Sequence, residues 1–133
     1  MALCITISST NKPRYEEGAP YLLLKYGHYL WLSPHLEVIQ RSTSKLIDPY
    51  DTVSFGGDEL GILEKEINGA VHTAEMIPNT ITLNIGPQIN PDGSKIDLIR
   101  VVTKAELKEM LSNFLGLIAQ AKAKNKFILC MGD

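Results

Sequence analysis

A chain of 133 residues with 44% hydrophobic and 21% charged residues has the size and composition of one globular domain, 1–133, able to bury a core without disulfides. Its 13 basic and 15 acidic residues leave a net charge of −2, which excludes the broad basic surface of a nucleic-acid binder and falls short of the acidity of a nucleic-acid mimic. Met1-Ala2-Leu3-Cys4 lacks the basic start and apolar length of a secretory segment, and no stretch reaches the length of a membrane span, so a reducing cytoplasmic location without a membrane partner is expected.

Residues 2–8 alternate apolar and polar as a strand does, with Leu3, Ile5 and Ile7 on one face. Asn11-Lys12-Pro13 breaks it, and Glu16, Glu17 and Gly18 suit an exposed loop running to Pro20. Residues 21–26 and 29–32, rich in Tyr and Leu, flank Gly27-His28, and this pattern predicts a β-hairpin. Tyr29 and Trp31 would then share a face. Ser33-Pro34 fits the cap and first turn of a helix, while Leu36 to Ile39 reads nearly as well as extended chain, and both readings stand.

Thr52 to Phe55 predicts a short strand ended by Gly56-Gly57. Asp58 then suits an N-cap and Glu59 the positive end of a helix carrying the stripe Leu60, Leu63, Ile67, Val71 and Ala74. Gly61 and Gly69 weaken that helix, and Gly69 is a candidate early end. Strands are expected over 80–85 and 95–102, joined by the turn Asn90-Pro91-Asp92-Gly93-Ser94. Thr103-Lys104-Ala105-Glu106 is a capping box opening a helix with Leu107, Met110, Leu111, Phe114, Leu115, Ile118 and Ala121 on one face. Residues 127–131 close the chain as a strand. The whole predicts an α+β fold: a mostly antiparallel sheet built from hairpins, with two main helices packed on one face.

Chemistry is sparse. His28, His35 and His72 have no second ligand at metal spacing, so neither metal nor cofactor is expected. There is no Gly-x-Ser-x-Gly elbow, no phosphate-cradling glycine loop and no visible activator for Cys4 or Cys130. Both cysteines read as buried thiols in terminal strands, a disulfide being geometrically open but disfavoured in a reducing compartment. With no catalytic residues to name, a noncatalytic protein is expected, the alternative being a small enzyme whose site is assembled from residues distant in the sequence.

One string stands apart. Gly56-Gly57-Asp58-Glu59-Leu60 resembles the signature turn of diguanylate cyclases, with Tyr26-Gly27-His28 and Thr82-Leu83-Asn84-Ile85-Gly86 as looser matches. The resemblance implies glycines that admit a guanine nucleotide and acids that serve metal and catalysis. The first strand, however, ends Ser8-Ser9-Thr10-Asn11 without the family's metal-binding acid, and the residues after Asp58 have a helical period. Two glycines before an acidic helix cap also make an ordinary strand-to-helix turn, and a degenerate, inactive nucleotide-binding relative of the cyclases stands as the alternative reading.

Across the last two-thirds of the chain, the acidic helix Leu63-Glu64-Lys65-Glu66-Ile67, the capped helix at Thr103 and the closing strand ending Gly132-Asp133 resemble the small immunity proteins of bacterial toxin–immunity systems. That resemblance implies a protein that binds and occludes a cognate toxin, with no catalytic group of its own. A partner protein, and no nucleic acid, is thus expected. The residues for its contact are the aromatics Tyr29, Trp31 and Tyr50 and the acids Asp48, Asp51, Asp58 and Glu59. Nothing in the sequence reports on oligomeric state.

Overall fold

The computed structural model of the chain describes residues 2–11 and 15–132. The expected break at Lys12-Pro13 and the terminal Asp133 lie outside them. Six strands and three helices follow in the order β1 (Ala2–Ser8), β2 (Tyr21–Lys25), α1 (Tyr26–Thr43), β3 (Thr52–Phe55), α2 (Glu59–Glu75), β4 (Thr80–Ile89), β5 (Lys95–Thr103), α3 (Lys104–Lys124) and β6 (Phe127–Met131). The fold class is α+β with antiparallel pairing throughout, as the sequence predicts. The strands form two sheets, β2-β1-β6-β3 and the separate ribbon β4-β5.

Alternation sets the layers. Leu3, Ile5, Ile7, Leu24, Phe55, Ile128 and Cys130 point from one face of the four-stranded sheet into a core shared with the helices. α3 lies across β1, β2 and β6, and α2 packs between α3 and α1. The periodic residues Leu60, Leu63, Ile67, Ala70 and Ala74 of α2 meet Leu107, Leu111, Phe114 and Ile118 of α3 in that core. The Thr103 hydroxyl accepts the Glu106 N–H at 3.1 Å, and Glu106 accepts the Thr103 N–H at 3.2 Å, completing the predicted capping box. α2 runs through Gly69 to Glu75. Ala70 and Ala74 beyond the glycine are fully buried, and their packing holds the last turns.

The predicted hairpin over 21–32 is corrected. β2 passes directly into α1, so Gly27 and His28 are helical and Pro34 lies inside the helix rather than at its start. His28, Leu32, Leu36 and Ile39 form the buried stripe, spaced as a helix requires. Positions 29 and 31 diverge by about 200° around a helix, so Tyr29 and Trp31 do not share a face. α1 is thereby a third main helix beside the two expected. His35 ties it to α2, with Nδ1 2.8 Å from a Glu66 carboxylate oxygen and Nε2 3.3 Å from the Thr73 hydroxyl.

The register settles the thiols. Cys4 pairs with Met131 while Cys130 pairs with Ile5, so the two side chains leave opposite faces of the sheet. Both are free, and burial pushes the Cys130 thiol far above its ordinary pKa.

The ribbon is the unusual element. It is rooted on α1 and α3, and residues 91–101 are all exposed. A bulge at Asn84/Gly86 bends it, where Gly86 holds φ 123° and its N–H meets Asn84 Oδ1 at 2.9 Å. Asp92 at the tip accepts from the Ser94 N–H and hydroxyl at 3.0 and 2.6 Å, so the turn is internally fixed.

Candidate functional site

The string at 56–60 has a structural use for most of its members. Gly57 holds φ 58°, a left-handed conformation that suits glycine. A Cβ on Gly56 would overlap the Phe127 ring. The Glu59 carboxylate accepts from the Gly56 N–H at 3.1 Å and from Lys45 Nζ at 2.8 Å. Lys45 also donates to the Ser54 carbonyl at 2.7 Å, which blunts the free edge of β3. Asp58 occupies the N-cap position of α2, exposed and without a side-chain cap bond. Gly56→Ala is expected to cost about 1–3 kcal/mol, because the Phe127 ring must shift to admit a methyl group. Urea unfolding measures it, with Gly61→Ala as the comparison, since a Cβ there meets nothing within 4 Å.

The expected contact residues are dispersed. The Tyr29 hydroxyl donates to the Ile47 carbonyl at 3.1 Å and its ring stacks on Tyr26, so it anchors the loop after α1. Trp31 is partly buried against the core beside His35. Asp48 and Asp51 accept the N–H groups of Tyr50 and Thr52 at 2.8 and 2.7 Å, which fixes the turn before β3. Glu59 is engaged as described. Tyr50, 68% exposed, is the aromatic of this set left open to a partner.

Tyr50 borders a groove that sequence reading missed. Two adjoining cavities, about 270 and 460 Å³, both contain Lys25 and Arg100 in their walls. The first is closed by His28 and Glu106, the second by Tyr26, Tyr50 and Ile85. Lys25 ends β2 at the N-cap of α1, and Arg100 reaches across from β5. Gly27 makes that approach possible, since a Cβ there would stand 3.0 Å from Arg100 Cδ. No local pattern signals this groove, because its residues come from five separate segments.

Within it, His28 Nε2 lies 3.8 Å from Glu106 Oε2. Burial lowers the His28 pKa below its ordinary 6.5, Lys25 and Arg100 add to that, and Glu106 opposes it. The folded chain therefore binds this proton less readily than the unfolded chain. Its contribution to stability is complete above about pH 6.5 and is lost as the pH falls below that value. Thermal midpoints measured from pH 8 to pH 5 are expected to fall less steeply for His28→Gln than for wild type, even if that variant starts lower. Depressed carboxylates such as Glu106 act in a more acidic window.

Among the described residues, no group of three or more His, Cys, Asp or Glu side chains is placed to hold a metal ion. No helix is long and apolar enough to cross a membrane.

An exposed apolar surface follows the ribbon beyond this groove. Ile89, Ile96, Leu98, Ile99 and Val101 are 68, 53, 39, 63 and 62% exposed. Ile99 and Val101 share one face, and Ile96 and Leu98 share the other with Arg100. A smaller patch, Tyr21 and Leu23, lies on the outer face of the main sheet. The sequence predicted the two strands, but alternation alone left open which face is covered. Compared with known proteins, the chain matches no family model, no curated protein and no solved structure.

Proposed function

We propose that the chain is a noncatalytic protein-interaction domain whose contact element is the β4-β5 ribbon, and in its sharpest form an immunity-type inhibitor that occludes a toxin. The observation that carries this reading is the exposure of five large apolar side chains on one ribbon. They lie on both faces of the ribbon, and exposed apolar side chains grouped on one projecting element mark an interaction site more often than a solvated face. An isolated two-stranded ribbon is also marginal by itself, and a partner that covers it completes its packing. The fixed turn at residues 90–94 and the bulge at Gly86 present the apolar residues in a preset shape, which lowers the ordering cost of association. An occluding partner needs no catalytic group on this chain.

The experiment is co-expression with the protein encoded immediately upstream of its gene. That neighbour is expected to arrest growth alone, and to be neutralised by this chain through a stoichiometric complex. A neighbour that is harmless, or one that stays toxic with this chain present and folded, would remove the inhibitor reading.

A further inference from the structure

We infer that Lys25 and Arg100 form the seat for a carboxylate carried by an extended segment of the partner protein, an inference that rests on the ribbon being the contact element. Neither cation takes part in an ion pair or side-chain hydrogen bond among the described residues, although both line the same two cavities. Glu106, the acid that lines the first cavity with them, feels the Lys25 charge but makes no ion pair with it; its carboxylate accepts the Thr103 N–H and faces His28, so it caps its own helix. The N-cap of α1 is Lys25, which makes no side-chain cap bond, so the positive end of that helix opens on the same groove. Gly27 lets the Arg100 stem lie against this helix end, which brings the guanidinium over the groove.

The surroundings select the kind of anion. A polyanion requires many cations in a row, and this chain carries a net charge of −2 with two cations at the groove. The remaining walls, Tyr26, Tyr50 and Ile85, suit an apolar chain bearing one charge. Among the described residues β5 pairs with β4 alone, so its other edge is unpaired and can accept a strand from outside. Such a strand would set alternate side chains beside Arg100, Leu98 and Ile96, which share one face. The recognised pattern is thus an acidic residue followed, at every second position, by apolar residues.

A displayed random dodecapeptide library panned on the whole chain tests this. Wild type is expected to enrich peptides with Asp or Glu two and four positions from apolar residues. Affinity for those peptides is expected to fall at least about tenfold with K25E/R100E, as for loss of a desolvated charge pair. The neutral K25Q/R100Q pair, which keeps the Cβ and Cγ methylenes of the Arg100 stem, is expected to fall in the same direction, and both variants to unfold near the wild-type midpoint. Peptides enriched without an acid, or bound equally by wild type and K25Q/R100Q, would overturn the carboxylate seat while leaving the ribbon contact standing if I99E/V101E abolishes them. Enrichment of nothing on wild type would overturn both. Inorganic phosphate is the control probe. Phosphate binding below about 1 mM together with no acidic preference among the peptides would make this a small-anion site and overturn the inference.

Discussion

Replacing Ile99 and Val101 together with glutamate is expected to weaken binding of the upstream-encoded protein by at least about 100-fold, near the effect of losing two central apolar contacts. The two side chains are neighbours on one face of β5 and more than half exposed in the free chain. In a complex each would bury apolar area worth roughly 1.5–3 kcal/mol, and glutamate there must instead lose its water. In the free chain little changes, because the same side chains have few contacts to lose. Urea unfolding of the double variant is accordingly expected within about 0.5 kcal/mol per site of wild type. Calorimetric titration and urea unfolding together separate a lost interface from a lost fold. Full affinity in the folded variant would place the contact elsewhere, the outer sheet patch at Tyr21 and Leu23 being the next apolar surface.

Phe114→Ala is expected to do the reverse and cost about 3–5 kcal/mol of folding stability. Phe114 is wholly buried on α3, in the core that joins this helix to α2 and the sheet. Removing its ring leaves a cavity in close-packed surroundings, and small domains hold only about 5–15 kcal/mol in all. The urea midpoint should fall by about 1–5 M at the slopes usual for small proteins. A loss under about 1 kcal/mol would mean that the ring is not packed as described. Leu98→Ala on the exposed ribbon supplies the contrast and should move the midpoint little.

Local chemistry made much of this fold readable before any coordinates. The capping box at Thr103 predicts the start of α3 to the residue, and the Asn90 to Ser94 turn joins its two strands where turn residues require. The error at residues 26–34 has a definite cause. Gly27-His28 between aromatic runs looks like a hairpin turn, yet Gly27 serves the approach of Arg100, seventy-three positions later in the chain. The spacing of His28, Leu32, Leu36 and Ile39 carries the helical signal, which the preceding glycine obscures.

The candidate site was far less readable. Strand alternation reports which residues share a face, and it is silent on whether a neighbour covers that face. The exposed apolar residues of β5 thus look like those of any half-buried strand until the ribbon is seen to stand apart from the main sheet. The groove around Lys25 and Arg100 likewise exists only after β2, α1 and β5 converge. Of the expected contacts, Tyr50 reaches that groove, whereas Tyr29, Asp48, Asp51 and Glu59 are engaged in bonds within the fold.

Amide hydrogen exchange, compared between the free chain and its complex with the upstream-encoded protein, tests the central claim most directly. The ribbon as contact element predicts new protection over residues 81–102 and in the first turn of α1, with the outer face of the main sheet unchanged. Protection confined to β2 and the outer sheet face, with the ribbon exchanging as fast as in the free chain, would contradict it.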